Sequence, residues 1–135
     1  DVTNSVVAAI AALTRYKQLG NEGGYEAVSA LAQKLGSGLE RVFEKHGIAC
    51  HTTQLGPMVR LFLTDGPKTY AHCVQLNLKA VSLFHLALIT EGVLTVPGSN
   101  DFFLSFAHTE ADIDGVIKAA DRVLTRFNFE VLLRQ

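Results

Sequence analysis

The stretch Ile48-Ala49-Cys50-His51-Thr52-Thr53-Gln54-Leu55-Gly56-Pro57-Met58-Val59-Arg60-Leu61-Phe62-Leu63-Thr64-Asp65 decides the fold. Its two halves, Ile48–Gln54 and Met58–Asp65, are short and rich in Val, Ile, Leu, Phe and Thr, and Leu55-Gly56-Pro57 divides them. That composition around a Gly-Pro break predicts two neighbouring strands. In the second, Met58, Arg60, Phe62 and Thr64 alternate with Val59, Leu61 and Leu63, the period of a strand with two unlike faces.

Upstream the period changes to that of a helix. Tyr25–His46 places Val28, Leu31, Leu35, Leu39, Val42 and Phe43 on one face, with Lys45 and His46 at the negative end and Gly47 just beyond. Asn21-Glu22-Gly23-Gly24 is a loop, and Ser5–Leu19 before it is a further helix. That first helix is apolar nearly all round until Thr14, the pattern of a helix covered on most sides. Downstream, a turn at Gly66-Pro67 leads to a predicted helix Thr69–Glu91, with Val74, Leu78, Val81, Phe84 and Leu88 inside and Gly92 as its stop. Two more strands are predicted, Val93–Val96 and Phe102–Phe106, around the turn Pro97-Gly98-Ser99-Asn100-Asp101. Thr109 opens the last helix, in capping-box spacing with Asp112, and its buried face is Ile113, Ile117, Ala120, Val123, Leu124 and Phe127. The order α-α-β-β-α-β-β-α predicts an α+β fold: a small, mostly antiparallel sheet of about four strands with helices packed on it.

Composition limits the function. The 135 residues make one domain of ordinary size, and 48% apolar residues with a mean hydropathy of +0.22 exclude a disordered chain. Twelve Lys and Arg against thirteen Asp and Glu leave a net charge of −1, so no basic footprint for nucleic acid exists. The apolar runs Val6–Leu13 and Ala80–Ile89 are far short of the ~20 residues a membrane span needs, and two cysteines make no disulfide framework. The expectation is a soluble, cytoplasmic chain with no nucleic-acid or membrane partner. Because it begins at Asp1 without Met and turns apolar almost at once, it is also expected to be a piece of something longer.

Few residues offer chemistry. Cys50-His51 and His72-Cys73 suggest halves of a zinc site, but adjacent residues diverge on a strand or a helix, so no metal site is expected. A Cys/His nucleophile pair would lack an orienting third group. Asp112-Ile113-Asp114-Gly115 opens like a calcium loop, yet the twelfth position is Val123. Gly36-Ser37-Gly38 lies in a helical pattern and reads as close helix packing. Arg60 could hold a carboxylate from mid-strand, or simply stand on the open face of the sheet, and His85 reads as a satisfied core or interface histidine.

One segment is more specific. Phe102-Phe103-Leu104-Ser105-Phe106-Ala107-His108-Thr109-Glu110-Ala111-Asp112-Ile113-Asp114 resembles the closing part of class-III pyridoxal-phosphate aminotransferases, nearest the glutamate-1-semialdehyde 2,1-aminomutase and β-amino-acid transaminase branch. Gly56-Pro57-Met58, the run Leu61–Pro67, and Phe84-His85 through Gly92-Val93 to Pro97 are similar to the segments before it. The resemblance covers about Tyr25–Val123. It implies the C-terminal domain of a fold-type-I enzyme, residues 25–135, with 1–24 as a linking helix and loop toward a missing large domain. It implies pyridoxal phosphate as the parent's cofactor, an amino acid or amino-aldehyde as substrate, and a homodimer. None of Lys17, Lys34, Lys45, Lys68, Lys79 and Lys118 sits in the family's Schiff-base setting, so this chain alone is expected to bind no cofactor and to hold no catalytic residue. Its part would be to close over the substrate. Ser99 and Asn100, in the loop where the aminomutases carry Ser-Gln-Phe-Glu-Ala, and Ser105, where other transaminases often carry an Arg, are the implied substrate-binding residues. In a gapless register Asn100 stands at the family's Glu, which leaves aminomutase and transaminase both open. The alternative reading is a non-enzymatic α+β module that binds a ligand or partner. The first helix, packed in the family against the large domain and the partner subunit, is expected to drive self-association when those are absent.

Overall fold

The structure, a computed structural model, describes residues 2–66, 69–74 and 76–129. Asp1, Pro67 and Lys68 lie outside the described residues, as does the side chain of Val74. Chain order gives α1 (Val2–Asn21), α2 (Gly24–Lys45), β1 (His51–Leu55), β2 (Met58–Phe62), α3 (Tyr70–Val74), α4 (Leu78–Thr90), β3 (Asp101–Phe103) and α5 (Glu110–Arg126). The fold is α+β as expected, with a three-stranded antiparallel sheet in the order β1-β2-β3. The register pairs Thr53 with Arg60 and Leu55 with Met58 on one side of β2, and Met58 with Phe103 and Arg60 with Asp101 on the other.

The sheet begins as a hairpin. Gly56 takes the left-handed conformation (φ 55°) that a two-residue turn requires and a side chain resists, and Gln54 donates from Nε2 to the Gly56 carbonyl at 2.8 Å. The expected fourth strand does not form. The Val93 N–H is taken by the Leu88 carbonyl (3.0 Å), which closes α4, and only the Val96 N–H reaches toward β3, to the Asp101 carbonyl at 3.2 Å. One such bond makes a turn rather than a ladder. β3 is likewise shorter than Phe102–Phe106: Leu104 still donates to the Pro57 carbonyl (3.0 Å), after which the chain turns.

The single helix expected over Thr69–Glu91 is two. Asn77 leaves helical geometry and its Oδ1 accepts the Ala80 N–H at 3.0 Å, so it caps a new helix, α4. Leu78, expected inside, stands directly after that cap and is exposed, as is Phe127 at the frayed end of α5.

One face of the sheet carries the core. Val59, Leu61 and Phe102 point into it against Leu35, Leu39 and Phe43 of α2, Phe84 and Leu88 of α4, and Ile113, Val123 and Leu124 of α5. Phe43 and Phe84 meet edge-to-face with ring centres 5.2 Å apart, and Phe84 meets Phe129 at 5.7 Å. At Gly36 α2 passes close to β1: a Cβ there would stand 2.9 Å from the Thr52 hydroxyl, so close packing explains the glycine. The α2 side chain Glu40 completes that contact, accepting from the Thr52 N–H (2.7 Å) and hydroxyl (2.9 Å).

α1 is largely uncovered by the rest of the described chain. Its apolar residues Val6, Val7, Ile10 and Leu13 are all exposed, Leu13 by 69%, because no other described element covers them. Only its C-terminal end is docked, where Tyr16 packs on Phe106 (4.8 Å) and Tyr25 (5.9 Å). Among the described residues, no helix is long and apolar enough to cross a membrane.

Candidate functional site

The polar side chains of most chemical interest gather where β2 and β3 meet the turn before β3. In an antiparallel pair, directly opposed residues share a face. Thr53, Arg60 and Asp101 therefore form one row across the open face of the sheet, and Leu55, Met58 and Phe103 form the next. Arg60 donates to Asp101 twice, Nε to Oδ1 at 2.5 Å and Nη2 to Oδ2 at 2.7 Å. The arginine side chain is half exposed, whereas the carboxylate is only 12% exposed. The hydrogen-bonded guanidinium holds the Asp101 carboxyl below the usual carboxylate range, and the carboxylate in turn raises Arg60. Asp101 also accepts from the Ser99 hydroxyl at 2.8 Å, which ties the preceding turn to the same carboxylate.

Of the residues implied by resemblance, Ser99 and Asn100 lie together in that turn. Asn100 is fully buried with a left-handed backbone (φ 51°), a conformation asparagine tolerates better than most residues. Its carbonyl accepts the Leu61 N–H at 3.3 Å, but neither Oδ1 nor Nδ2 finds a partner among the described residues.

Ser105 lies at the other end of β3. A three-residue strand advances roughly 10 Å at ~3.3 Å per residue, so Ser105 does not converge with Ser99 and Asn100. Its N–H donates to His108 Nδ1 at 2.9 Å, and its hydroxyl stands 3.1 Å from the same nitrogen. In this contact Nδ1 is the acceptor of the ring. Both residues are exposed, and no described carboxylate orients the far side of the ring, so the pair locks a turn and makes no nucleophile. The turn runs straight into the capping box, where Thr109 and Asp112 satisfy each other's backbone as the spacing predicts. This run ends a strand and starts a helix.

The other candidates resolve plainly. His85 is buried and bonded through Nδ1 to the Thr95 hydroxyl at 2.7 Å, the satisfied histidine expected. Burial and the nearby Glu40 push the Cys50 thiol up to about 12, the opposite of an activated thiolate. Among the described residues no group of three or more His, Cys, Asp or Glu side chains could hold a metal. Lys34 is held by Asp114 (2.8 Å) and Glu110 (3.1 Å), which raise its pKa, and Lys17, Lys45, Lys79 and Lys118 are exposed.

No profile of a known protein family matches the chain. Individual proteins do. It is 35% identical over 129 residues to glutamate-1-semialdehyde 2,1-aminomutase 2 of Bacillus licheniformis, an alignment covering 94% of this chain and 30% of that protein. It is 31% identical over 125 residues to the glutamate-1-semialdehyde 2,1-aminomutase of Desulfatibacillum aliphaticivorans, covering 91% and 29%. Its fold is similar to part of an omega-transaminase from Sphaerobacter thermophilus, with a TM-score of 0.68 at 20% identity over 76% of this chain and 24% of that one. The chain spans about 30% of the length of the curated relatives it matches. A covalently held pyridoxal phosphate needs a positioned lysine amine of lowered pKa. The five described lysines are paired or solvated, so none of the described lysines fits that role.

Proposed function

Sequence and fold tie this chain to the C-terminal part of the pyridoxal-phosphate-dependent aminotransferase family, and from that premise we propose that it serves as the substrate-enclosing C-terminal domain of such an enzyme. The observation that carries the reading is the 35% identity sustained over 94% of the chain. In this reading the parent acts on an amino acid or amino-aldehyde, in the cytoplasm, as a homodimer. The cofactor and its lysine belong to a large domain that residues 1–24 join to the small α+β domain 25–135.

Three features support this division of labour. The exposed apolar side of α1 gives the large domain and partner subunit a surface to pack on. The turn Pro97–Asp101 bends through two left-handed residues, Gly98 (φ 78°) and Asn100, and is tied to the sheet by Asp101, which suits a rim that closes over a substrate. In this reading the turn carrying Ser99 and Asn100 borders the mouth on one side, and Ser105 borders it from the far end of β3. None of the described lysines fits the cofactor's attachment, and in this reading the chain alone should be inactive and should give no single stoichiometric lysine adduct when treated with pyridoxal phosphate and borohydride.

The test is a chimera in which this chain replaces the matching segment of the Bacillus licheniformis relative. The chimera should load the cofactor and convert glutamate-1-semialdehyde or an amino donor, and Asn100→Ala in it should change kcat/KM while leaving cofactor content intact. A soluble, cofactor-loaded chimera inert toward every amino donor contradicts the reading. Unchanged kinetics in Asn100→Ala remove that turn from the site.

A further inference from the structure

The mid-strand arginine has an open side that the proposed function does not use. A guanidinium offers five N–H donors in a plane. Asp101 occupies one edge, taking Nε–H and one Nη2–H, and no other described residue bonds the remaining three. Arg60 and Asp101 both line a shallow groove of about 300 Å³ on the open face of the sheet, the lower limit of small-molecule pockets. Leu55 and Met58 line the groove on one side of Arg60 and Phe62 on the other, with Thr53 beside it.

We infer that this groove binds a small monocarboxylate carrying an apolar chain, the carboxylate on the free edge of Arg60 and the chain along Leu55 and Met58. Planar oxygens match a planar pair of N–H donors, the bidentate geometry in which arginine binds best. Asp101 is a positioning residue here. It fixes the guanidinium plane, and because it also offsets one positive charge it disfavours a doubly charged phosphate. Ser99 holds Asp101 in turn through its hydroxyl. The inference rests on this chain's own residues and stands whether or not the proposed function does.

The experiment is an NMR titration of the isotopically labelled chain with 3-phenylpropionate, and with 3-phenylpropionamide and inorganic phosphate as controls. The Arg60 Nε–H and the backbone amides of Thr53, Leu55 and Met58 should shift together and saturate with the carboxylate. The amide and the phosphate should bind at least about tenfold more weakly, a difference of about 1.4 kcal/mol. Arg60→Gln should lose the response to the same degree. Because Arg60→Gln leaves Asp101 unpaired, the double variant Arg60→Gln/Asp101→Asn is measured beside it, with loss of binding in a folded double variant also expected. Equal binding of carboxylate and amide, phosphate as tight as the carboxylate, binding retained in the double variant, or no response at about 10 mM would each overturn the inference.

Discussion

α1 and α2 are nearly the same length, 20 and 22 residues, and both are rich in Ala, Val and Leu, yet they end in opposite environments. In α2 the large apolar residues recur on one stripe, so a single chain can cover them: Leu35, Leu39 and Phe43 are sealed between the sheet, α4 and α5. α1 has apolar residues on most of its circumference, and the core-bearing face of the small sheet is already taken by α2, α4 and α5. Its Val6, Ile10 and Leu13 stay in water, while only Tyr16 near its end docks, on Tyr25 and Phe106. Apolar content says that a helix should be covered. The period says whether its own chain can do so.

The contrast breaks most easily in the core. Phe43→Ala should cost about 3–5 kcal/mol, because it empties a fully buried site against Phe84, whereas Ile10→Ala should lie within about 0.5 kcal/mol in a monomeric chain. Denaturant titration of both variants checks this, and comparable losses would mean that α1 is packed after all. The aromatic corner sharpens it next. A double-mutant cycle between Tyr16→Ala and Phe106→Ala should show a coupling of about 0.5–1.5 kcal/mol, with faster amide exchange in α1 and none of it in α2. A coupling near zero would detach α1 altogether.

The smallest of these effects is electrostatic and lies at the Arg60–Asp101 pair of the sheet. Asp101 has a depressed pKa in the folded chain, so its contribution is present above the unfolded value of about 3.9 and is lost as pH falls through the lower folded value. Stability measured from pH 7 downward should therefore fall on the acid limb, and Asp101→Asn should flatten that limb. α1 contains no Asp or Glu, so its own docking should not follow this titration.

How much of this can be read from the chain depends on how far apart the deciding atoms are. The hairpin at Gly56-Pro57, the stripe of α2 and the Thr109–Asp112 box are local, and each stands where its spacing puts it. Val93–Val96 has the composition of a strand because β-branched residues dominate it, but the end of α4 claims the Val93 N–H. The break at Asn77 is hidden because asparagine inside a helical pattern says nothing about whether its side chain will cap. The Arg60–Asp101 pair needs the register between β2 and β3, which composition does not supply. The buried amide of Asn100, unpaired among the described residues, carries no sequence signal either, since asparagine in a turn normally implies an exposed side chain. Resemblance points to Ser99, Asn100 and Ser105 alike, and only the geometry separates the first two from the third.

The central claim is that the apolar side of α1 is a surface meant for another polypeptide. Sedimentation velocity on the chain and on its Ile10→Glu variant tests it most directly, at roughly 50 µM, well above a dissociation constant of about 1 µM, which corresponds to about −8 kcal/mol. The chain should sediment as a dimer or larger, and Ile10→Glu should return it to a monomer with its core intact. A chain that stays monomeric at that concentration would contradict the claim.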